Sequence, residues 1–224
     1  MSIYVIGALI CFAVAYRTFF VKKTHSQSRK LFGLLALLFG LICILDFMSQ
    51  AAGPTKLSLY IQNIVSIVYP FPMFLFMLIP LTIYKDIRGK TILKIMVLPL
   101  LVGLFAVVGG DIIGAEADNF GDITFVKLIY NEDIYSTWLF LNFLPFVVMY
   151  YLFYKIFKTP EVRANKDSMK RLKVFVTAFT ILIITGYVFA IAEMLFGTPP
   201  LSSVGAAVGV SLAMIAFKLR KETM

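Results

Sequence analysis

Charge is what this sequence has least of. Of 224 residues only 15% are charged, while 60% are hydrophobic and the mean hydropathy is +0.90. An ordinary globular chain is about a quarter charged, and one soluble domain cannot bury this much apolar side chain, so a soluble enzyme or nucleic-acid binder is excluded. Histidine is nearly missing: with His25 alone, di-histidine haem ligation and histidine-rich hydrolase sites have no candidates. The two cysteines, Cys11 and Cys43, lie inside apolar runs without CxxC or Cys/His spacing, which argues against a disulfide framework and a zinc site. No lysine lies in the middle of the last apolar run, since Lys218 stands at its end, so the Schiff base of an opsin chromophore has no anchor. There is no phosphate-binding glycine loop, and no polar stretch is long enough for a kinase or cyclase domain. No cofactor and no metal are expected.

What the sequence does have is long apolar runs. Taking about 20 residues as one membrane crossing, the chain reads as seven spans near 2–21, 31–52, 57–84, 92–110, 134–157, 172–196 and 200–217. The expected fold class is an all-α membrane protein, a single seven-helix domain over 1–224. The first run has no charged region before it and no small-residue cleavage site before Arg17 and Lys22, so it is expected to stay in the mature chain rather than be removed as a signal peptide.

The net charge of +9 comes from 21 Lys and Arg against 12 Asp and Glu. Sorted by connection, the basic residues take sides. Arg17, Lys22, Lys23, Arg29 and Lys30 flank the first connection; Lys85, Arg88, Lys90 and Lys94 the third; and Lys155, Lys158, Arg163, Lys166, Lys170, Arg171 and Lys173 the fifth. Lys218, Arg220 and Lys221 close the chain. Only Lys56 and Lys127 of the 21 fall on the other side. The positive-inside rule then sets the N-terminus outside and the C-terminus in the cytoplasm, as an odd number of spans also requires, and the expected location is the cell membrane. The basic excess is therefore an orientation signal, and no nucleic-acid partner is expected.

The connection over about 111–133 carries Asp111, Glu116, Asp118, Asp122, Glu132 and Asp133 against Lys127 alone, making it an acidic extracellular loop. Within it Ile123 to Tyr130 is β-branched and aromatic-rich between turn residues, so a short hairpin and a structureless loop are both open.

Polar groups in hydrocarbon are costly and therefore informative. Asp46 and Gln50 share a helix face at a spacing of four. Gln62, Ser66 and Tyr69 form a second such face, with Asn63 adjacent. Trp138 and Asn142 are four apart, and Glu193 sits in the last turns of the sixth span. All fall in the predicted extracellular half, so an outward-open polar cleft is expected, with Asp46, Gln50, Gln62, Asn63, Tyr69, Trp138, Asn142 and Glu193 as candidate ligand-binding residues. Competing structural readings stand beside these: an interhelical hydrogen-bond pair for Asp46 and Gln50, an interfacial belt for Trp138, simple solvation for Glu193, and a proline kink that opens a local cavity at Tyr69-Pro70-Phe71-Pro72.

Before the last span, Thr198 can cap and Pro199 and Pro200 suit a first helical turn. Gly205, Gly209 and Ala213 then recur every four residues, a small-residue stripe for helix packing; a homodimer interface is its alternative use. No sequence repeat is evident, which argues against an inverted-repeat transporter.

Four stretches together carry a family resemblance: Tyr69-Pro70-Phe71-Pro72-Met73-Phe74-Leu75-Phe76, the acidic loop into Tyr135-Ser136-Thr137-Trp138, Arg171-Leu172-Lys173, and Pro199-Pro200-Leu201 through Phe217-Lys218-Leu219-Arg220. In these and in topology the chain resembles the N-terminal seven-helix sensor region of bacterial and archaeal histidine kinases, found on some diguanylate cyclases too. The resemblance implies a receptor module whose outer cleft binds a small molecule. It carries over no binding residue. In such receptors the seventh helix runs on into an output domain that this sequence does not contain, so a separate cytoplasmic signalling protein is the expected partner, beside the lipid bilayer. The residues thus favour a non-enzymatic receptor-like protein, with a small solute or ion transporter or channel as the alternative and a membrane-embedded lipid hydrolase, using two carboxylates as acid and base, as the third reading.

Overall fold

A computed structural model describes residues 2–20, 26–85, 87, 89–196, 198 and 201–218. Lys22, Lys23, His25, Arg88, Pro199, Pro200 and Leu219 to Met224 lie outside the described residues, so the parts of the charge pattern and of the final helix start that rest on them have no structural counterpart here.

The apolar runs form helices: α1 (Ser2–Phe20), α2 (Gln27–Ala51), α3 (Lys56–Val68), α4 (Pro70–Tyr84), α5 (Gly89–Ile95), α6 (Val97–Gly109), α7 (Glu132–Lys158), α8 (Pro160–Ala164), α9 (Lys166–Phe196) and α10 (Ser202–Lys218), with strands β1 (Ile112–Phe120) and β2 (Ile123–Tyr130) between α6 and α7. Among the described residues, six stretches are long and apolar enough to cross a membrane: α1, α2, α3 with α4, α5 with α6, α7 and α9. The seventh expected span is the shorter α10, 17 residues long, which at 1.5 Å per residue covers about 25 Å.

The helices are apolar on nearly all sides, as lipid-facing helices must be. On α2, Leu37, Leu41, Ile44 and Met48 are exposed while Leu35, Phe39, Ile42, Asp46 and Gln50 are buried along one stripe. That stripe turns from apolar to polar as it approaches the hairpin. Below the change, Phe76 packs against Phe39, Phe146 and Phe179 at ring separations of 6.0, 5.5 and 4.5 Å. In lipid such contacts stabilise through close packing rather than through exclusion of water.

The third span is broken where proline dictates. Pro70 and Pro72 supply no backbone N–H, and α3 ends at Val68 before α4 begins at Pro70. Beside this break Gly103 brings α6 against the backbone of Ile67; a Cβ there would stand 2.6 Å from the Ile67 Cα.

The small-residue stripe is used within the chain. Ala213 is fully buried, and a Cβ on Gly205 or Gly209 would meet Thr185 and Phe189 or Leu182, all on α9. Thr198 is not the cap of α10, which begins four residues later at Ser202, and its buried hydroxyl has no hydrogen-bond partner.

The region left open between hairpin and loop is a hairpin. β1 and β2 pair antiparallel from Ile112↔Tyr130 to Phe120↔Ile123 with an irregularity near Ile112 and Gly114. The turn is Gly121-Asp122, with Gly121 at φ 62°, the positive φ that a two-residue hairpin turn of type II′ requires at its first position. Lys127 pairs with Glu116 and Asp118 at 3.3 and 3.5 Å across the strands, and these neighbours raise the pKa of its ammonium. Gly110, at φ 72°, closes α6 and turns the chain into β1.

Candidate functional site

The hairpin is not free-standing; polar side chains of the bundle hold it. Gln50, at the end of α2, uses both ends of its amide on one residue of β2: Nε2 donates to the Val126 carbonyl at 3.0 Å and Oε1 accepts from the Val126 N–H at 2.8 Å. This occupies both backbone groups of Val126 that an edge strand would leave unpaired. At the other margin Asp111 turns inward, fully buried, accepting from the Ser66 hydroxyl at 2.7 Å and from the Ile112 N–H at 3.0 Å. Burial pushes the Asp111 carboxyl up, and these two donors partly offset the effect. The third tie is Tyr130, whose hydroxyl donates to Glu193 Oε1 at 2.6 Å. Burial and the nearby Glu193 charge hold the Tyr130 phenol well above its ordinary range, so it remains a donor.

Under the hairpin lies a cavity of about 40 Å³. Asp46 from α2, Gln62 and Ser66 from α3, Tyr69 at the helix break, Trp138 from α7 and Glu193 from α9 line it, and Ile112 and Tyr130 of the hairpin cover it. The two carboxylates are 5% and 7% exposed. The hairpin lies over part of this cavity, through Ile112 and Tyr130, because the acidic connection packs back against the helices. Glu193 is not a solvated interfacial group.

Five of the eight candidate residues meet here: Asp46, Gln62, Tyr69, Trp138 and Glu193. Gln62 Nε2 lies 3.4 Å from Asp46 Oδ1. Trp138 is 5% exposed, with its ring between Tyr69 and Tyr135 at 5.4 and 5.5 Å, so it is an interior residue and not part of a lipid-facing belt. Tyr135 in turn stacks on Tyr130 at 4.0 Å. The other three candidates do not line the cavity. Gln50 clamps the hairpin. Asn142 is fully buried and donates from Nδ2 to the Trp138 carbonyl of its own helix at 2.9 Å, with Oδ1 unpartnered. Asn63 is half-buried beside the lining residue Gln62 without facing the cavity.

Sequence reasoning missed the hairpin's contribution. Tyr130 and Tyr135 were legible only as loop and helix-start aromatics, and Asp111 only as one of six acidic loop residues. The available signal was that Asp111 directly follows Gly109-Gly110, where a helix end with a left-handed residue can turn the next side chain back toward the bundle. Ser203 was missed as well: its hydroxyl is fully buried near Asp46 and closes no hydrogen bond.

Among the described residues, no Lys, Arg or His lines the cavity and no group of three or more His, Cys, Asp or Glu that could hold a metal occurs. The wall can hold hydrogen-bond donors or a positive charge against the two carboxylates, and aromatic faces against a small ligand. No family model matches this chain and no curated protein matches it.

Proposed function

We propose that this chain is a receptor-like membrane protein of seven spans, α10 being the last, with its N-terminus outside and its C-terminus in the cytoplasm of the cell that carries it. A small ligand enters beneath the hairpin, meets Asp46 and Glu193, and biases two arrangements of the helices that a separate cytoplasmic signalling protein reads. The observation that carries this reading is the Tyr130–Glu193 hydrogen bond. It ties the cover of the cavity to α9, a 31-residue helix whose other end carries Lys166, Lys170 and Lys173. A ligand that competes for Glu193 loosens the hairpin and frees α9 in one step. Only a difference in affinity between the two arrangements can drive such a change.

The aromatic layer of Phe39, Phe76, Phe146 and Phe179 supports this reading over a transporter or channel. These rings pack beneath the cavity and put no polar group on a route to the basic end. Flux of ions or small solutes into liposomes carrying the chain would favour the transporter instead.

The test is a thermal-shift screen of small molecules on the wild type, Asp46→Ala and Glu193→Ala. Hits should stabilise the wild type and lose most of that effect in both variants. They should also change amide exchange in 112–130 and around 159–173. Hits that stabilise all three proteins equally would remove the site, and hits that leave 159–173 unchanged would remove the signalling role.

A further inference from the structure

We propose that the covered cavity is a site for one small, singly charged cation, an alkali metal ion or an amine of about methylammonium size, taken up with water. The inference rests on the sensing reading above and names the ligand class.

Charge points to a cation. Asp46 and Glu193 reach the cavity from different helices and are almost wholly buried; a buried carboxyl either takes up a proton or stays ionised beside a cation that pairs with it. Gln62 and Tyr130 each give one of these carboxyls a hydrogen bond, but none of the described residues that line the cavity is basic. The rings of Tyr69, Trp138, Tyr135 and Tyr130 line the cavity in contact with one another at 5.4, 5.5 and 4.0 Å, an uncharged wall beside the two carboxylates.

A second observation is independent of the carboxylates. The Trp138 indole N–H is buried at the cavity wall without any acceptor. Indole nitrogen is only a donor, so the occupant must bring a lone pair, which a bare cation lacks and a water of hydration supplies. Size sets the rest. A single water needs about 10–15 Å³ of such space, so about 40 Å³ accommodates an ion with a water or two, whereas metabolite pockets run to about 300–1,000 Å³. Two carboxylates fall well short of the six to eight oxygen ligands, roughly, of a calcium site.

Trp138 is the only tryptophan in the chain, so its fluorescence reports on the site directly. The full chain, in nanodiscs in N-methylglucamine chloride, is titrated at constant ionic strength with sodium, potassium, ammonium or methylammonium chloride. The expected result is a saturable shift in emission and a rise of several degrees in Tm with at least one small cation; the alkali and ammonium arms separate the two sources. The midpoint should weaken tenfold or more in Asp46→Asn and Glu193→Gln and stay unchanged in Lys127→Met on the hairpin surface. If Asp46→Asn does not fold, Glu193→Gln, which keeps an acceptor for Tyr130, decides alone. A response that does not saturate, that is absent with all four salts, or that survives intact in Glu193→Gln overturns the site. Absence of any cation response alongside screen hits that need Asp46 would sink this inference and keep the sensing reading. Saturable binding with no change in exchange at 159–173 would do the reverse.

Discussion

The Tyr130 hydroxyl and the Glu193 carboxyl, 63 residues apart in sequence, are joined by a 2.6 Å hydrogen bond that fastens the second strand of the hairpin to α9, a helix of 31 residues. Tyr130→Phe removes that donor, keeps the ring that stacks on Tyr135, and leaves a buried carboxylate short of a partner. Leaving a buried acceptor without its hydrogen bond costs about 1–3 kcal/mol. Reversible unfolding in mixed micelles should show a loss of that size, and hydrogen exchange across 112–130 should quicken while exchange in the α4–α7 core stays slow. Glu193→Gln should lose less, because its amide oxygen still accepts from Tyr130.

At the hairpin base the pH dependence has a definite sign. Burial holds the Asp111 carboxyl above its ordinary value of 3.8, so the native state binds a proton there that the unfolded chain has already lost. The stability from this site is fully present below the unfolded value and is lost as pH rises through the higher folded one. Asp111→Asn keeps one oxygen to accept from the Ile112 N–H, turns its amide NH2 toward the Ser66 oxygen as a donor, and does not titrate. Melting curves from pH 4 upward should therefore show a shallower fall in Tm for Asp111→Asn than for the wild type, and an equal slope would rule out Asp111 as its source.

The same residues show what a sequence can and cannot disclose. The helices were legible because a bilayer demands long apolar runs, and their expected ends lie within a few residues of the observed ones, α9 beginning earliest relative to its expected start. The break at Pro70 was legible because proline lacks an N–H. Which polar residues converge was legible in part, since Asp46, Gln62 and Glu193 share a depth. Depth does not give direction around a helix axis. Asn63 and Gln62 have nearly the same depth, yet one turn angle separates a lining residue from a bystander. The cover of the cavity was not legible at all, because Gln50 recognises the backbone of Val126, 76 residues away, and backbone groups carry no sequence signature.

The glycine stripe of α10 makes a sharper packing prediction than its sequence pattern alone. A Cβ at Gly209 would stand 2.2 Å from the Leu182 Cβ and 2.8 Å from its Cα, while one at Gly186 would meet nothing nearer than the Tyr69 hydroxyl at 3.8 Å. Overpacking a tight interface costs typically about 1–3 kcal/mol. Gly209→Ala should fall at the upper end of that range, because the clash includes backbone and α10 must move away from α9. Gly186→Ala should be nearly neutral or slightly stabilising, since alanine is the better helix former. Paired thermal melts check both, and equal effects would mean that α10 packs elsewhere.

Orientation can be tested with the chain's own cysteines as a silent background. Cys11 and Cys43 are both fully buried, so an impermeant maleimide should leave the wild type unlabelled. Asn119 at the hairpin tip and Arg163 in α8 are exposed, at opposite ends of α7. With the basic connections inside, Asn119→Cys should react in intact cells and Arg163→Cys only after permeabilisation. Both substitutions replace exposed polar side chains and should cost little stability. The reverse labelling pattern would put the covered cavity on the cytoplasmic side. The ligand would then have to be an intracellular one, and the positive-inside reading of the basic residues would fail with it.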